Sequence, residues 1–352
     1  MCDLGNWQTA QMRQRDLATL PKAHLHLHFT GSLRPSTLAE LAAKHGIRLP
    51  ETLRHHHLLR LTPDERGWFR FQRLYEAARA CVRDADDMRR IVQEAAEDDA
   101  AEGSGWLEMQ IDPTSYAPFV GGLTPALEIV LDAARTASAT TSCQVAIVVA
   151  ASRVRHPLDA RTLARLAARY AGDGPGEVVG FGLSNDERRG TTEDFAPAFA
   201  IAARAGLASL PHSGELLGPD HIRTTLGALH PDRLGHGVRA AEDPPLLERI
   251  VRSGVGLEVC PASNVALGVY PTPADVPLRQ LVDAGARVAL GADDPLLFGP
   301  RLLAQYEVAR SVHHFPDADL AGLARSSVEM SRAPLDLRKR LLAGVDDWFA
   351  GG

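Results

Sequence analysis

The 352-residue sequence predicts an α/β fold, a (β/α)8 TIM barrel, on three observations. Short β-rich runs alternate with longer runs of helical period eight times along the chain, and a chain of this length accommodates that rhythm in one barrel. The residues with catalytic chemistry fall at or just past the C-terminal ends of the β-rich runs, the face on which such barrels build their sites. The competing doubly wound sheet lacks its signature, because no Gly-x-Gly-x-x-Gly follows a first strand.

In chain order, residues 1–19 read as a polar lead-in with a short helix over 8–19, and the whole of 1–352 reads as a single domain. Strands are expected at 23–29, 105–111, 144–150, 178–183, 208–212, 233–235, 256–259 and 287–290, each a short apolar or alternating run. Helical period marks 89–101, 125–137, 159–170, 192–205, 244–253 and 277–284. The segment 34–104 is too long for one crossover helix and carries Trp68, Phe69, Phe71 and Tyr75. It reads as a helical excursion over the barrel mouth that forms an apolar lid; packing of a subdomain explains the aromatics equally well.

The bulk composition excludes several classes. A hydrophobic fraction of 45% with 23% charged residues describes a folded soluble chain. A net charge of −6 gives no electrostatic footprint for nucleic acid or an anionic membrane. The longest fully apolar stretch, 145–151, is too short to cross a bilayer, and the N-terminus does not read as a secretion signal. Four cysteines, Cys2, Cys81, Cys143 and Cys260, form no Cys-x-x-Cys pair, which fits a cytoplasmic protein with reduced thiols. Cys260 reads as a buried small hydrophobe. Oligomeric state is left open.

The chemistry begins in Ala23-His24-Leu25-His26-Leu27-His28. Period two places His26 and His28 on one face of a strand, where both can grip one metal ion. His24 shares that phase but lies deeper, a place for packing or a supporting hydrogen bond. Farther along come His212-Ser213-Gly214-Glu215, His236 in Leu-Gly-His-Gly, and Asp293-Asp294 after an apolar strand. Imidazole and carboxylate donors scattered over strand ends suit a catalytic zinc or a similar divalent metal. Glu215 can serve as a proton shuttle if its pKa is raised, the alternative being a helix N-terminal carboxylate. Of the adjacent aspartates, one can bind metal while the other reaches substrate. His55-His56-His57 reads as a solvated loop.

Together these motifs give the chain a resemblance to the adenosine/adenine deaminase family of zinc hydrolases. The matching text is Leu-Pro-Lys-Ala-His-Leu-His-Leu-His (20–28), Gly-Ser-Leu-Arg-Pro (31–35), His-Ser-Gly-Glu (212–215), Arg-Leu-Gly-His-Gly-Val (233–238), Leu-Glu-Val-Cys-Pro-Ala-Ser-Asn (257–264) and Asp-Asp-Pro-Leu-Leu-Phe-Gly (293–299). The resemblance implies hydrolytic deamination of a 6-aminopurine nucleoside, a small-molecule partner. It implies one Zn2+ per chain held by His26, His28, His212 and Asp293, with an open position for water. It further implies that Glu215 protonates N1, His236 orients the nucleophile and Asp294 hydrogen-bonds N7. The cytidine-type motif His-x-Glu with Pro-Cys-x-x-Cys is absent.

Departures from the family pattern bear on substrate. Where adenosine deaminases read His-Leu-Asp-Gly, with the aspartate on the ribose 5′-hydroxyl, this chain reads His28-Phe29-Thr30-Gly31. The glycine whose backbone N–H meets purine N3 becomes Asn185, and the strand that usually ends Arg-x-Ser-Pro ends Gln110-Ile111-Asp112-Pro113. Thr30 and Asn185 are therefore candidate substrate-binding residues. Loss of a hydroxyl acceptor changes selectivity strongly, which points to a 5′-modified adenosine such as 6-aminodeoxyfutalosine; adenosine and free adenine are the alternatives. A rival of another class is a metal-binding protein without catalysis, which predicts a broken ligand set. A two-metal site would need a bridging lysine or glutamate, and the only lysines of the first half are Lys22 and Lys44.

Overall fold

A computed structural model of the chain describes residues 14–351. Most of the helix expected over 8–19 lies outside the described residues; Leu17–Thr19 forms one 3-10 turn. Eight parallel strands follow one another around a barrel: β1 (Lys22–His28), β2 (Ser104–Ile111), β3 (Gln144–Ser152), β4 (Val178–Ser184), β5 (Ala208–Ser213), β6 (Arg233–His236), β7 (Gly256–Val259) and β8 (Val288–Leu290). The circle closes just beyond β8, where the His28 N–H donates to the Asp293 carbonyl and the Asp293 N–H to the His26 carbonyl, each at 3.0 Å. This closure fixes Asp293 beside the two β1 histidines.

Alternation sorts the side chains into two cores. Leu107, Met109 and Ile111 of β2 and Val145, Ile147 and Val149 of β3 pack outward under the helices. Trp106, Ala146, Val148 and Leu210 pack together in a separate inner cluster. Each such buried aliphatic contributes about 1.5–3 kcal/mol. The outer helix before β2 runs Ala85–Ala101, starting earlier than its apolar period suggests. Asp84 and Asp87 close a capping box there, so the first turn is acidic rather than apolar. Similarly, the region 192–205 divides into a 3-10 turn, Thr192–Phe195, and a helix, Ala196–Arg204.

The excursion between β1 and β2 contains the helices Pro35–Lys44, Glu51–Arg54 and Glu65–Arg79 before the outer helix. Trp68, Phe71 and Tyr75 of Glu65–Arg79 border a cavity at the barrel mouth. Their spacing puts them on one helix face, whereas Phe69 points away and is 63% exposed. His55, His56 and His57 are exposed. No helix among the described residues is long and apolar enough to cross a membrane.

Strand β1 departs from simple alternation. His24 pairs with Leu107 and Leu27 with Met109, three residues against two, so a bulge falls between them. His24 therefore leaves the phase of His26 and His28. Its Nδ1–H donates to Asp99 of the outer helix at 2.9 Å, and its Nε2 accepts the Ala292 N–H at 3.0 Å. Both nitrogens are occupied, and His24 supports the segment that carries Asp293.

A charged cluster lies under the mouth. Arg233 Nε donates to Glu258 Oε1 at 2.6 Å and Nη1 to the Met330 carbonyl at 2.7 Å, while Nη2 bonds Glu108. Trp106 Nε1 completes the cluster on Glu108 at 2.9 Å. Arg233→Met would leave two buried carboxylates without a counter-charge. It is expected to lower the unfolding free energy by about 3–5 kcal/mol, read from denaturant titration.

Candidate active site

The site is built on the C-terminal ends of the strands. β1 supplies His26 and His28, β5 supplies His212 with Glu215 just beyond, β6 ends in His236, and the turn after β8 supplies Asp293 and Asp294. The first requirement is space for the imidazoles. A Cβ at Gly235 would stand 3.0 Å from His26 Cε1 and 3.1 Å from the His212 ring, so any larger residue would press both rings out of place by a few tenths of an ångström. The second is backbone shape. His236, Asp293 and Asn185 have φ of 64°, 61° and 79°, left-handed conformations that are rare outside glycine and cluster at functional sites.

Four of the sequence-predicted ligands converge. His28 Nε2 lies 3.1 Å from Asp293 Oδ1 and 3.3 Å from His212 Nε2, and His26 Nε2 lies 3.6 Å from Asp293 Oδ1. Donors about 2.0–2.1 Å from a tetrahedral Zn2+ stand about 3.3 Å apart, so the spacing matches a shared divalent cation. His26 Nε2 is buried without a hydrogen-bond partner. Its other nitrogen donates to Glu258 Oε2 at 2.7 Å, which fixes the tautomer and leaves Nε2 free as a donor atom. Burial opposes a charge on His26, but the Asp293 and Glu258 carboxylates outweigh it and raise its pKa to about 10. A metal ion supplies the positive charge those carboxylates favour. The donor set thus fits a divalent metal.

The remaining groups are acids held in unusual states. Burial, reinforced by the negative charges of Asp293 and Glu187, raises the Glu215 carboxyl well above the usual range. Burial and Asp293 do the same to Asp294. Burial also works against ionised Asp293, but hydrogen bonds from His26 and His28 prevail and hold it well below the usual range. The two adjacent aspartates are therefore driven apart, one an anion and one an acid. His236 is lowered to about 3 by burial and stays neutral. Asn264 Nδ2 donates to its Nδ1 at 3.5 Å, leaving Nε2–H toward Glu215 Oε1, also 3.5 Å away.

His28, His212, Glu215, His236, Asp293 and Asp294 border one cavity, together with Asn185, Trp68, Phe71, Tyr75 and Arg79. Thr30 does not border it. It is buried, and its hydroxyl bonds Tyr116 Oη at 2.5 Å. Asn185 is anchored by Nδ2 to Ser152 Oγ at 3.2 Å. Its positive φ explains how asparagine replaces glycine here, since asparagine tolerates the left-handed region better than other side chains.

The sequence reading missed several supporting residues. Glu187 accepts the backbone N–H groups of Glu215, Leu216 and Leu217 at 2.8–3.1 Å and so holds the turn that aims Glu215. Glu258, Arg233 and Glu108 stand behind His26. Their signal was a charged residue inside an otherwise apolar strand, as in Leu257-Glu258-Val259. Cys260, by contrast, is a buried free thiol whose pKa is raised by burial, as befits a packing residue.

Comparison with known proteins agrees with this geometry. The family model described as adenosine deaminase matches residues 21–348. A Streptomyces coelicolor protein named "Putative adenosine/adenine deaminase" is 64% identical over 343 residues, covering 96% of this chain and 99% of its own. The crystal structure of an adenine deaminase from Arthrobacter aurescens is similar with a TM-score of 0.85 at 30% identity, covering 94% of this chain and 99% of its own. An amidohydrolase from Burkholderia ambifaria, solved with bound Zn, has the same fold with a TM-score of 0.83 at 24% identity, covering 95% of this chain and 93% of its own. The eight-stranded barrel, the convergent His/Asp donors and the match over nearly the full length lead to one conclusion: the chain belongs to the adenosine deaminase family, hydrolases that act on C–N bonds.

Proposed function

We propose that the protein is a zinc-dependent deaminase of a 6-aminopurine carrying a substituent at N9, adenosine or a 5′-modified adenosine, releasing the 6-oxopurine and ammonia. The observation that carries the reading is the placement of two buried carboxyls, Glu215 and Asp294, both pushed by burial toward the acid form, beside the His/Asp donor cluster on one cavity. Hydrolysis at C6 of a purine needs a proton donor at N1 and is helped by a hydrogen bond to N7. Those are the two atoms flanking the reacting carbon.

Zn2+ held by His26, His28, His212 and Asp293 would supply the Lewis acidity that makes water a nucleophile near neutral pH. Glu215 gives its proton to N1 as water adds to C6, which removes the ring's aromatic resistance. Neutral His236, with Nε2–H toward the reacting centre, orients the incoming oxygen and stabilises its charge. Asp294 donates to N7 through its protonated carboxyl. Glu215, left as a carboxylate, takes one proton from the added water and delivers it to the amino group, which leaves as ammonia, and the remaining hydroxyl proton restores its acid form as the 6-oxo group forms. Asn185 borders the N3 edge.

The aspartates owe their position to a glycine. A Cβ at Gly31 would stand 1.8 Å from Asp294 Oδ1 and 2.7 Å from its Cα, so the Asp294 backbone must move. Gly31→Ala is expected to lower kcat/KM by about 100-fold, the effect of misplacing a reacting group by roughly 1 Å. The unfolding midpoint, measured in parallel, separates this from loss of fold.

Free adenine is the second reading, favoured by Thr30: its hydroxyl is engaged by Tyr116, and no carboxylate stands where the family binds the 5′-hydroxyl. The test is kcat/KM for adenine, adenosine and an adenosine with a bulky 5′ aryl group, followed by loss of 6-aminopurine absorbance. A nucleoside is expected to win. Adenine ahead of both nucleosides overturns the N9-substituted assignment.

A further inference from the structure

A layer of polar residues stands behind the Glu215 turn without bordering the cavity. At its centre is Arg153, the residue that follows β3, only 2% exposed. Its Nη2 donates to the His212 carbonyl at 2.8 Å and its Nη1 to Thr192 Oγ1 at 2.9 Å, while Nε is buried without a partner. Taking a guanidinium out of water is costly unless an opposite charge answers it, and the answering charge is Glu187. Burial opposes the charge of Arg153, and Glu187 favours it. Burial likewise pushes the Glu187 carboxyl up, and Arg153 is the largest influence against that rise. Glu187 is the side chain that accepts the N–H groups of Glu215, Leu216 and Leu217.

A directed chain of hydrogen bonds leads on from Arg153. A carbonyl only accepts, so the Thr225 hydroxyl spends its proton on the His221 carbonyl at 3.0 Å. Ser213 Oγ must then donate to Thr225 Oγ1 at 2.9 Å, and it accepts from His221 Nδ1–H at 3.0 Å. Glu187 Oε2 lies 3.8 Å from that same nitrogen, on the side of the proton. With Nδ1 protonated, His221 Nε2 accepts the Thr192 hydroxyl at 3.1 Å, and Thr192 in turn accepts from Arg153. Every donor meets an acceptor, with one tautomer of His221. Burial, helped by the Arg153 charge, lowers the His221 pKa to about 4 and keeps the ring neutral, as the chain requires. Ser213 stands between His212 and the Gly214-Glu215 bend, so the chain ties the helix Pro219–Leu229 to the end of β5.

We propose that Arg153 and His221 are positioning residues for Glu215: Arg153 is the counter-charge of Glu187, which holds the turn, and His221 is the link that locks Ser213 to the neighbouring helix. Together they set where the Glu215 carboxyl stands relative to purine N1. The proposal rests on the reading of Glu215 as the acid of a 6-aminopurine deaminase. Neither residue touches the substrate, so their effect belongs in kcat.

The experiment measures kcat, KM and zinc content of the zinc-loaded protein, on whichever of adenine, adenosine and the 5′-aryl nucleoside the wild type deaminates fastest. Arg153→Met is expected to lower kcat by about 100-fold, the effect of shifting a reacting group by roughly 1 Å, with KM nearly unchanged. Arg153→Lys keeps the charge without the planar fork and is expected to recover about 10-fold of that loss. His221→Phe is expected to lower kcat by about 10-fold, and His221→Gln, which retains a donor and an acceptor, to restore part of it. The discriminating readout is the double variant. In a Glu215→Gln background, Arg153→Met and His221→Phe are each expected to cost less than about twofold more, because the proton they aim is gone. Losses that multiply with Glu215→Gln, or that fall on KM or zinc content instead of kcat, overturn the proposal and leave the acid assignment standing. The His221 pair keeps the test decisive if Arg153→Met does not fold. A Glu215→Gln variant with undiminished kcat overturns the acid assignment and the proposal with it.

Discussion

Glu215→Gln is expected to lower kcat/KM by about 1,000-fold, within the range of a lost general acid, while leaving metal content and unfolding midpoint unchanged. The reason is the state of the carboxyl. Burial and the neighbouring Asp293 and Glu187 charges push its pKa well above the usual range, which favours the acid that the reaction needs over a structural anion. An amide of the same shape keeps the packing and the neutral charge but cannot release a proton to N1. No counter-charge is lost, because the nearest titratable partner, His236 at 3.5 Å, is itself neutral. Activity, metal analysis and thermal unfolding of the variant check the three parts together. A fall in stability alongside activity would assign Glu215 a structural role instead.

The second large effect is expected at Asp293. Asp293→Ala removes an anion that stands 3.1 Å from His28 Nε2 and 3.6 Å from His26 Nε2, and with it the only carboxylate of the four-donor cluster. Metal content is expected to fall from one ion per chain to a small fraction, and kcat/KM by at least about 1,000-fold. Bound metal stabilises the folded state by RT ln(1 + [L]/Kd), about 4 kcal/mol when free metal is 1,000 times Kd. Chelation of the wild type is therefore expected to lower the melting temperature and abolish activity, both restored by zinc. In Asp293→Ala, chelation is expected to leave the melting temperature unmoved. Metal analysis and calorimetry check both.

The barrel was legible in the sequence because each strand is a short apolar or alternating run buried on both faces, and such runs differ plainly from the helical periods between them. The candidate metal ligands were legible for a related reason: His26, His28, His212 and Asp293 interrupt or end apolar strands, where a polar residue needs a purpose. What could not be read was local geometry. Nothing in Ala23-His24-Leu25-His26 announces the bulge that turns His24 out to Asp99, because a bulge is decided by how β1 pairs with β2. The charged cluster of Glu108, Arg233 and Glu258 was visible as three anomalies in three strands, yet its pairing exists only once the barrel closes. Thr30 illustrates the same limit: its position after β1 was clear, but its bond to Tyr116 depends on a residue 86 positions away. Phe69 departs from its aromatic neighbours for a reason that helical spacing contains, since it lies off the face shared by Trp68, Phe71 and Tyr75.

The central claim, hydrolytic replacement of the 6-amino group, is tested most directly by turning over an adenine nucleoside with the zinc-loaded protein in 18O-enriched water. The account predicts one equivalent of ammonia for each 6-oxopurine formed, with one 18O atom in the product at C6. Ammonia-free substrate loss, or no product from adenine, adenosine or their 5′-modified relatives while metal remains bound, would contradict it.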